Sequence, residues 1–376
     1  MFDWTESPPQ ELGVAPELLG GALRLVRERG GTAQLVVLKD GAVLLDRTFG
    51  CAPDDLFWTF SASKPFIALL VHLLAQRGRL SLDDPVARSW PGFAARGKEQ
   101  VTVRQVLQHR SGLSSARGML GDALAMADWD RSLRALERAR LQRPPGSAPA
   151  YQAIAYGFIL GEVVRRVSGT PPAQLLRREF LDPLGLDDLH LGLPDELWHR
   201  HVPLRGSGPG GRATQGIVNR RATRRAVIPA AGVSATARDL ARFYQVLLDG
   251  GVGTGVGGPA GVRVLAEETV LEARRRSTAE GEMDLRIKRP VRWAQGFQLG
   301  GFSAHPVGRP VMGRLSSEAA FGHNGSSCCI GWADPSRGLV FAYLTDVLPR
   351  RREGARHFST VADALLTACD AGRDAH

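Results

Sequence analysis

Among 376 residues there are only four lysines, Lys39, Lys64, Lys98 and Lys288, and one of them stands three places after a serine in Ser61-Ala62-Ser63-Lys64. A serine alcohol is a poor nucleophile. An amine held beside it in a dry site can be neutral near neutral pH and accept its proton. Three residues is close to one helical turn, so the two side chains share a helix face and can meet. The segment supports that geometry. Apolar residues in SASKPFIALLVHLLAQRG cover nearly every face, which marks a buried helix. Pro65 fits a first turn and Gly78 marks the far end, placing Ser61 at the N-terminus, where the helix dipole favours developing negative charge.

Other chemistries find less support in the residue pattern. No G-x-S-x-G occurs, which removes the nucleophile elbow of ordinary α/β-hydrolases. His199 and His201 lie in a polar connection without a third ligand of suitable spacing, so no metal is expected. Cys51, Cys328, Cys329 and Cys369 show no metal-ligand spacing, and Cys328 and Cys329 are read as small buried hydrophobes. Gly253, Gly255 and Gly258 match G-x-G-x-x-G, yet the run Gly250 to Gly261 follows a helix. It reads as a mobile loop, not a dinucleotide site. No organic cofactor is expected.

The net charge of +10 comes almost wholly from arginine. Short clusters occur at Arg220, Arg221, Arg224 and Arg225, at Arg274 to Arg276, and at Arg350 to Arg352. None alternates with the aromatic residues of a stacking platform, so a solvated basic surface is expected and nucleic acid is not. The opening MFDWTESPPQELG lacks the basic and apolar regions of a secretory signal, and no apolar run is long enough to span a bilayer. A cytoplasmic protein with reduced thiols and no membrane partner is the expectation.

The elements that must position Ser61 follow from periodicity. Two strands, Ala33 to Leu38 and Ala42 to Arg47, meet at an Asp40-Gly41 turn, and SSCCIGWA and GLVFAYLTD form a second pair near the far end. A last helix is expected from Phe358 to Cys369. Between the ends lie helices at Ser61 to Arg77, Val103 to His109, Asp122 to Arg140, Ile154 to Val167, Ala173 to Phe180 and Ala237 to Asp249. The last opens with the capping-box spacing Thr236-Ala237-Arg238-Asp239. This predicts an α+β fold: an antiparallel β-sheet flanked by helices, with an inserted, mostly α-helical lobe. Residues 1–85 and 226–376 would form the sheet lobe and 86–225 the helical lobe, as one functional domain with its site in the cleft between them.

S-x-x-K on a buried helix after an N-terminal hairpin resembles the serine β-lactamase and penicillin-binding-protein superfamily, and further phrases resemble it in the same order. LSLDDPV and VTVRQVLQHRSGLSS are similar to its class C-like branch. PPGSAPAYQAIAYGFILGEVVRRVSG and FLDPLGLDDLHLGLP follow, then IPAAGVSATARDLARFYQVLLDGG and FGHNGSSCCIGWADPSRGLVFAYLTD. The resemblance covers about residues 30 to 346 and implies the β-lactamase/transpeptidase-like fold. It also implies that Tyr151, at the tyrosine of the family's Y-x-N element, shuttles protons beside the serine. Ala153 stands where that element has asparagine, which argues against antibiotic hydrolysis as the main task. Family VIII carboxylesterases resemble this chain in having a small apolar residue there.

In the third element, His323-Asn324-Gly325 replaces the K-T-G of β-lactamases. A mostly neutral histidine cannot hold a substrate carboxylate as a lysine does, so neutral acyl substrates are favoured. By the same resemblance, the backbone N–H groups of Ser61 and Ser326 form the oxyanion hole, and His323, Asn324 and Gly325 line the substrate. His109 to Leu113 is read as a structural turn near the cleft, with Gln108 as a neighbour of the site. The expected function is a serine hydrolase cleaving small esters through an acyl-enzyme on Ser61. An acyltransferase, a β-lactamase or D-amino-acid peptidase, and a catalytically silent binding protein are the alternatives.

Overall fold

The computed structural model describes residues 4–256, 258–301, 310–349 and 353–374. Strands Ala33–Lys39 (β1) and Ala42–Phe49 (β2) pair with elements from the far end of the chain. Three short strands, Phe57–Trp58 (β3), Leu189–Leu191 (β4) and Val233–Ala235 (β5), form a separate sheet in the order β3-β5-β4. Gln298–Leu299 (β6), Phe321–Gly325 (β7), Cys329–Asp334 (β8) and Leu339–Thr345 (β9) complete the main sheet. Its order is β6-β7-β8-β9-β1-β2, antiparallel throughout. The fold is α+β, as the sequence predicts.

The Asp40-Gly41 signal becomes a tight turn with both residues at positive φ, 50° and 77°, whose twist matches that of the strands it joins. Strand β1 is apolar at nearly every position because both sheet faces are covered. Leu35 and Val37 pack with Leu19, Ala22 and Val26 of Pro16–Arg29 (α1) and with Phe358 and Leu365 of the last helix. Val36 and Leu38 face a larger core. That core is filled by Lys64–Gln76 (α2), Ala155–Ser168 (α3) and Ala237–Leu248 (α4). The last helix, Glu353–Asp374 (α5), is longer than its apolar stripe suggests. Among the described residues, no helix is long and apolar enough to cross a membrane.

Several elements depart from expectation for local reasons. The helix expected over Asp122 to Arg140 is two, Gly118–Ala125 and Trp129–Arg138. The break is chemical: the Asp128 carboxylate accepts from Arg131 N and starts the second helix. SSCCIGWA is not strand from its first residue, because Ser326 to Cys328 turn and β8 begins at Cys329. The glycine-rich run, expected as a mobile loop, contains a short hairpin, Val252–Thr254 with Ala260–Arg263. Helix α1 carries Gly20 and Gly21 inside it, which weakens its periodic signal. At α4, Thr236 Oγ1 accepts from Asp239 N, but the Asp239 carboxylate turns to Asp188 N and Arg242, leaving half a capping box.

Gly157 of α3 sets how near that helix comes to residues 229–230. A Cβ there would lie 2.2 Å from Ala230 N and 2.7 Å from Ala230 Cβ. Gly157→Ala should force the two segments apart and cost about 1–3 kcal/mol. Calorimetric unfolding with an unchanged melting temperature would contradict this packing.

Candidate active site

Strand β3 ends at Trp58, and the chain turns through a 3₁₀ segment, Phe60–Ser63, before α2 begins at Lys64. Phe60, immediately before Ser61, has φ +48°, a conformation a bulky residue rarely adopts. The turn is fixed from below. Thr59 N donates to Val233 O at 2.9 Å, and Ser63 Oγ accepts from Val233 N at 3.0 Å. Ser63 is therefore structural, while Ser61 is partly open to the cleft.

Lys64 is fully buried, and burial pulls its amine well below the ordinary lysine range. Its Nζ lies 3.2 Å from Ser61 Oγ, 2.8 Å from Ala153 O and 3.2 Å from Ala230 O. The two carbonyls can only accept, so they take two of the amine's hydrogens. Of its three partners only the serine hydroxyl can donate, which suits a neutral amine whose lone pair faces Ser61. Where the family's asparagine would stand, the Ala153 main-chain carbonyl serves the lysine. Gln152 does not substitute: its Nε2 is committed to Ser111 Oγ and Leu113 O, each at 2.9 Å.

Tyr151 Oη donates to Ser61 Oγ at 2.6 Å. Burial, reinforced by the nearby Asp284 charge and opposed by the Ser61 hydrogen bond, raises the phenol above its usual range, so it is neutral. Trp293 stacks on its ring at 5.5 Å with an interplanar angle of 5°, and His109 packs edge-on at 4.9 Å. Asp284, fully buried, joins the parts. Its Oδ2 accepts from Tyr151 N at 3.0 Å and from Trp293 Nε1 at 3.0 Å, and its Oδ1 accepts from Arg286 N and Ile287 N.

Across the cleft, Gly325 ends β7. A Cβ on it would meet Thr59 O at 2.0 Å, so glycine lets this strand close on the turn that carries Ser61. Cys328 N donates to Gly325 O at 3.0 Å, closing a turn whose central residues, Ser326 and Ser327, have φ +51° and +55°. Asn324 Oδ1 accepts from Ser327 N at 2.9 Å and holds the turn. His323 is buried, and burial, opposed by the Asn324 backbone hydrogen bond, pushes it down to about 3, so it is neutral. Its Nδ1 lies 2.9 Å from Asn324 O and must carry the hydrogen, which leaves Nε2 an acceptor without a described partner.

Comparison with known proteins fits this arrangement. Residues 23–366 match the family model described as Beta-lactamase. The chain belongs to the β-lactamase family. It is 32% identical over 357 residues to the esterase/beta-lactamase LipL of Mycobacterium tuberculosis, covering 84% of this chain and 77% of that one. A family VIII carboxylesterase superposes with a TM-score of 0.79 at 26% identity, over 98% of this chain and 100% of that one. A penicillin-binding-protein homologue from Caulobacter crescentus gives 0.78 at 28% identity, over 94% and 98%.

Within this β-lactamase-family site, the structure brings Ser61, Lys64 and Tyr151 into direct contact and sets the His323 ring 6.4 Å from that of Tyr151. Gln108 shows only main-chain bonds, to Arg104 O and Val106 O, among the described residues. His109, in the stretch read as a structural turn near the cleft, has φ +58° and packs its ring on Tyr151. Trp293 and Asp284 were not anticipated. The signal was faint: an aspartate and a tryptophan nine residues apart in a basic loop, with no periodicity. Asp284→Asn keeps an oxygen for the Arg286 and Ile287 turn but opposes an N–H to those of Tyr151 and Trp293. It should lower kcat about 10- to 100-fold by displacing Tyr151, with KM little changed. Wild-type kcat in this variant would refute the positioning role.

Proposed function

We propose that this serine hydrolase of the β-lactamase family cleaves small carboxylic esters through an acyl-enzyme on Ser61. One observation carries the reading: a buried amine at 3.2 Å and a neutral phenol at 2.6 Å converge on a single hydroxyl. Ser61 Oγ attacks the ester carbonyl while its proton passes to Lys64 Nζ. The N–H groups of Ser61 and Ser326 receive the oxyanion, and Ser326 N is free of hydrogen bonds to described residues. Tyr151 protonates the departing alkoxide and recovers its proton from Lys64. Water, activated by the same pair, then releases the acid.

His323, Asn324 and Gly325 are the substrate-side strand in this reading. A neutral imidazole with an acceptor nitrogen repels a substrate carboxylate, which favours neutral esters. The name of the Mycobacterium relative carries both esterase and beta-lactamase, so hydrolysis of a β-lactam is the alternative to measure beside it. We keep residues 86–225 as the helical lobe. The four free thiols support a cytoplasmic location, and the expected partner is a small-molecule ester.

Ser61→Ala should lose labelling by a fluorophosphonate probe and reduce p-nitrophenyl butyrate turnover at least about 10⁴-fold. Persistent labelling would overturn the nucleophile, and nitrocefin turnover matching that of the ester would overturn the substrate class. Lys64 acts as a base only when neutral, and its folded-state value lies below the ordinary 10.5. kcat/KM should therefore fall as pH drops through that lowered value. Between it and 10.5 the unfolded chain binds the extra proton, so this group makes stability rise with pH. Lys64→Arg, charged at all working pH, should lose at least about 10²-fold in kcat and the acidic limb of the profile. An unchanged limb would assign it to another group.

A further inference from the structure

A row of buried polar atoms crosses the small sheet beneath the nucleophile. Trp58 of β3 and His190 of β4 stand directly opposite Ser234 of β5 on its two sides, so the three side chains leave the same sheet face. Trp58 Nε1, Ser234 Oγ and His190 Nε2 are each buried and without a hydrogen bond among the described residues. Arg224 joins them, its guanidinium carbon 5.4 Å from the Trp58 ring centroid. Its Nε donates to Val218 O, and its Nη2 to Val202 O and Asn219 Oδ1, while Nη1 has no partner.

Arg224 is wholly buried, and no described carboxylate pairs with it. The groups that bear on its charge are the thiols of Cys328 and Cys329 and the His201 imidazole, which burial and the Arg224 charge lower, and burial pushes the Cys328 thiol well above its ordinary range. Burial lowers Arg224 only to about 10, so it stays cationic at neutral pH. A buried cation with no described counter-charge, beside the Trp58 ring whose Nε1 is itself unpaired, is an unusual arrangement that a small anion would explain. Two of the free atoms, Arg224 Nη1 and Trp58 Nε1, can only donate, and the Ser234 hydroxyl can donate a third hydrogen.

We propose that Arg224 Nη1, Trp58 Nε1 and Ser234 Oγ bind a small inorganic monoanion of chloride size. One guanidinium charge balances one monoanion, and three buried donors suit a small ion. The site lies against the nucleophile's support. Strand β3 leads into the Phe60–Ser63 turn, and Val233, beside Ser234, holds Thr59 and Ser63. Anion binding therefore stiffens the strands on which Ser61 is seated, whatever substrate the enzyme takes.

Crystals of the full chain soaked in sodium bromide and measured at the bromine absorption edge should show an anomalous peak touching Arg224 Nη1 and Trp58 Nε1. Density there without an anomalous signal means water, and overturns the proposal. In solution, the melting temperature should climb by about 2 °C per tenfold rise in chloride above its dissociation constant, relative to gluconate at equal ionic strength. Trp58→Phe keeps the ring and loses the N–H, and should flatten that slope, as should Arg224→Met. If Arg224→Met does not fold, Trp58→Phe decides. Equal slopes in chloride and gluconate, or a slope unaffected by Trp58→Phe, overturn the site.

Discussion

A lysine amine kept out of water, with no carboxylate among the described residues to balance it, constrains everything around Ser61. Desolvation favours the uncharged form, and the amine remains bonded because the main chain supplies acceptors at Ala153 and Ala230. Those carbonyls come from separate stretches, one after Tyr151 and one before β5. Helix α2 must be buried on all sides, α3 must approach residue 230 closely enough to require Gly157, and the segment after Tyr151 must fold inward. Loosening any of these would let water reach the amine and restore its charge.

The backbone carries the strain this demands. Seven non-glycine residues among those described have positive φ, and four of them, Phe60, His109, Ser326 and Ser327, surround the site. Such conformations cost on the order of 1–3 kcal/mol each and persist only where neighbours over-determine them. The neighbours are visible here. Val233 pins the turn after Phe60, Gly325 presses on Thr59 O, Asn324 caps the serine turn, and Gln152 N donates to His109 Nδ1. Aromatic packing does the same for Tyr151, whose ring rests against Trp293 and His109, themselves in contact at 4.5 Å, while Asp284 holds its backbone.

Substitutions at two family positions become intelligible together. With alanine in place of the family's asparagine, the lysine needs another acceptor and finds one in the main chain at the same residue. With histidine in place of lysine at residue 323, the site loses a permanent cation. The ring is neutral and oriented by Asn324 O, which leaves its Nε2 an acceptor without a described partner.

Much of this was legible in the chain itself. Spacing placed Ser61 and Lys64 on one turn, apolar continuity buried α2, and the Asp40-Gly41 signal fixed the first hairpin, because those features depend on residues close in sequence. Ordered resemblance then pointed to Tyr151 and His323. Periodicity could not show that Asp128 would split one helix into two, or that Ser326 would leave the strand, since each turns on a single side-chain or backbone bond. Only tertiary structure decided which oxygens hold the Lys64 amine, that Asp284 ties Tyr151 to Trp293, and that Arg224 has no carboxylate partner among the described residues. The Lys64 contacts with Ala153 and Ala230 and the Asp284 contact with Tyr151 join residues 89, 166 and 133 positions apart, and what sets them is burial, which exists only once the chain has closed around them.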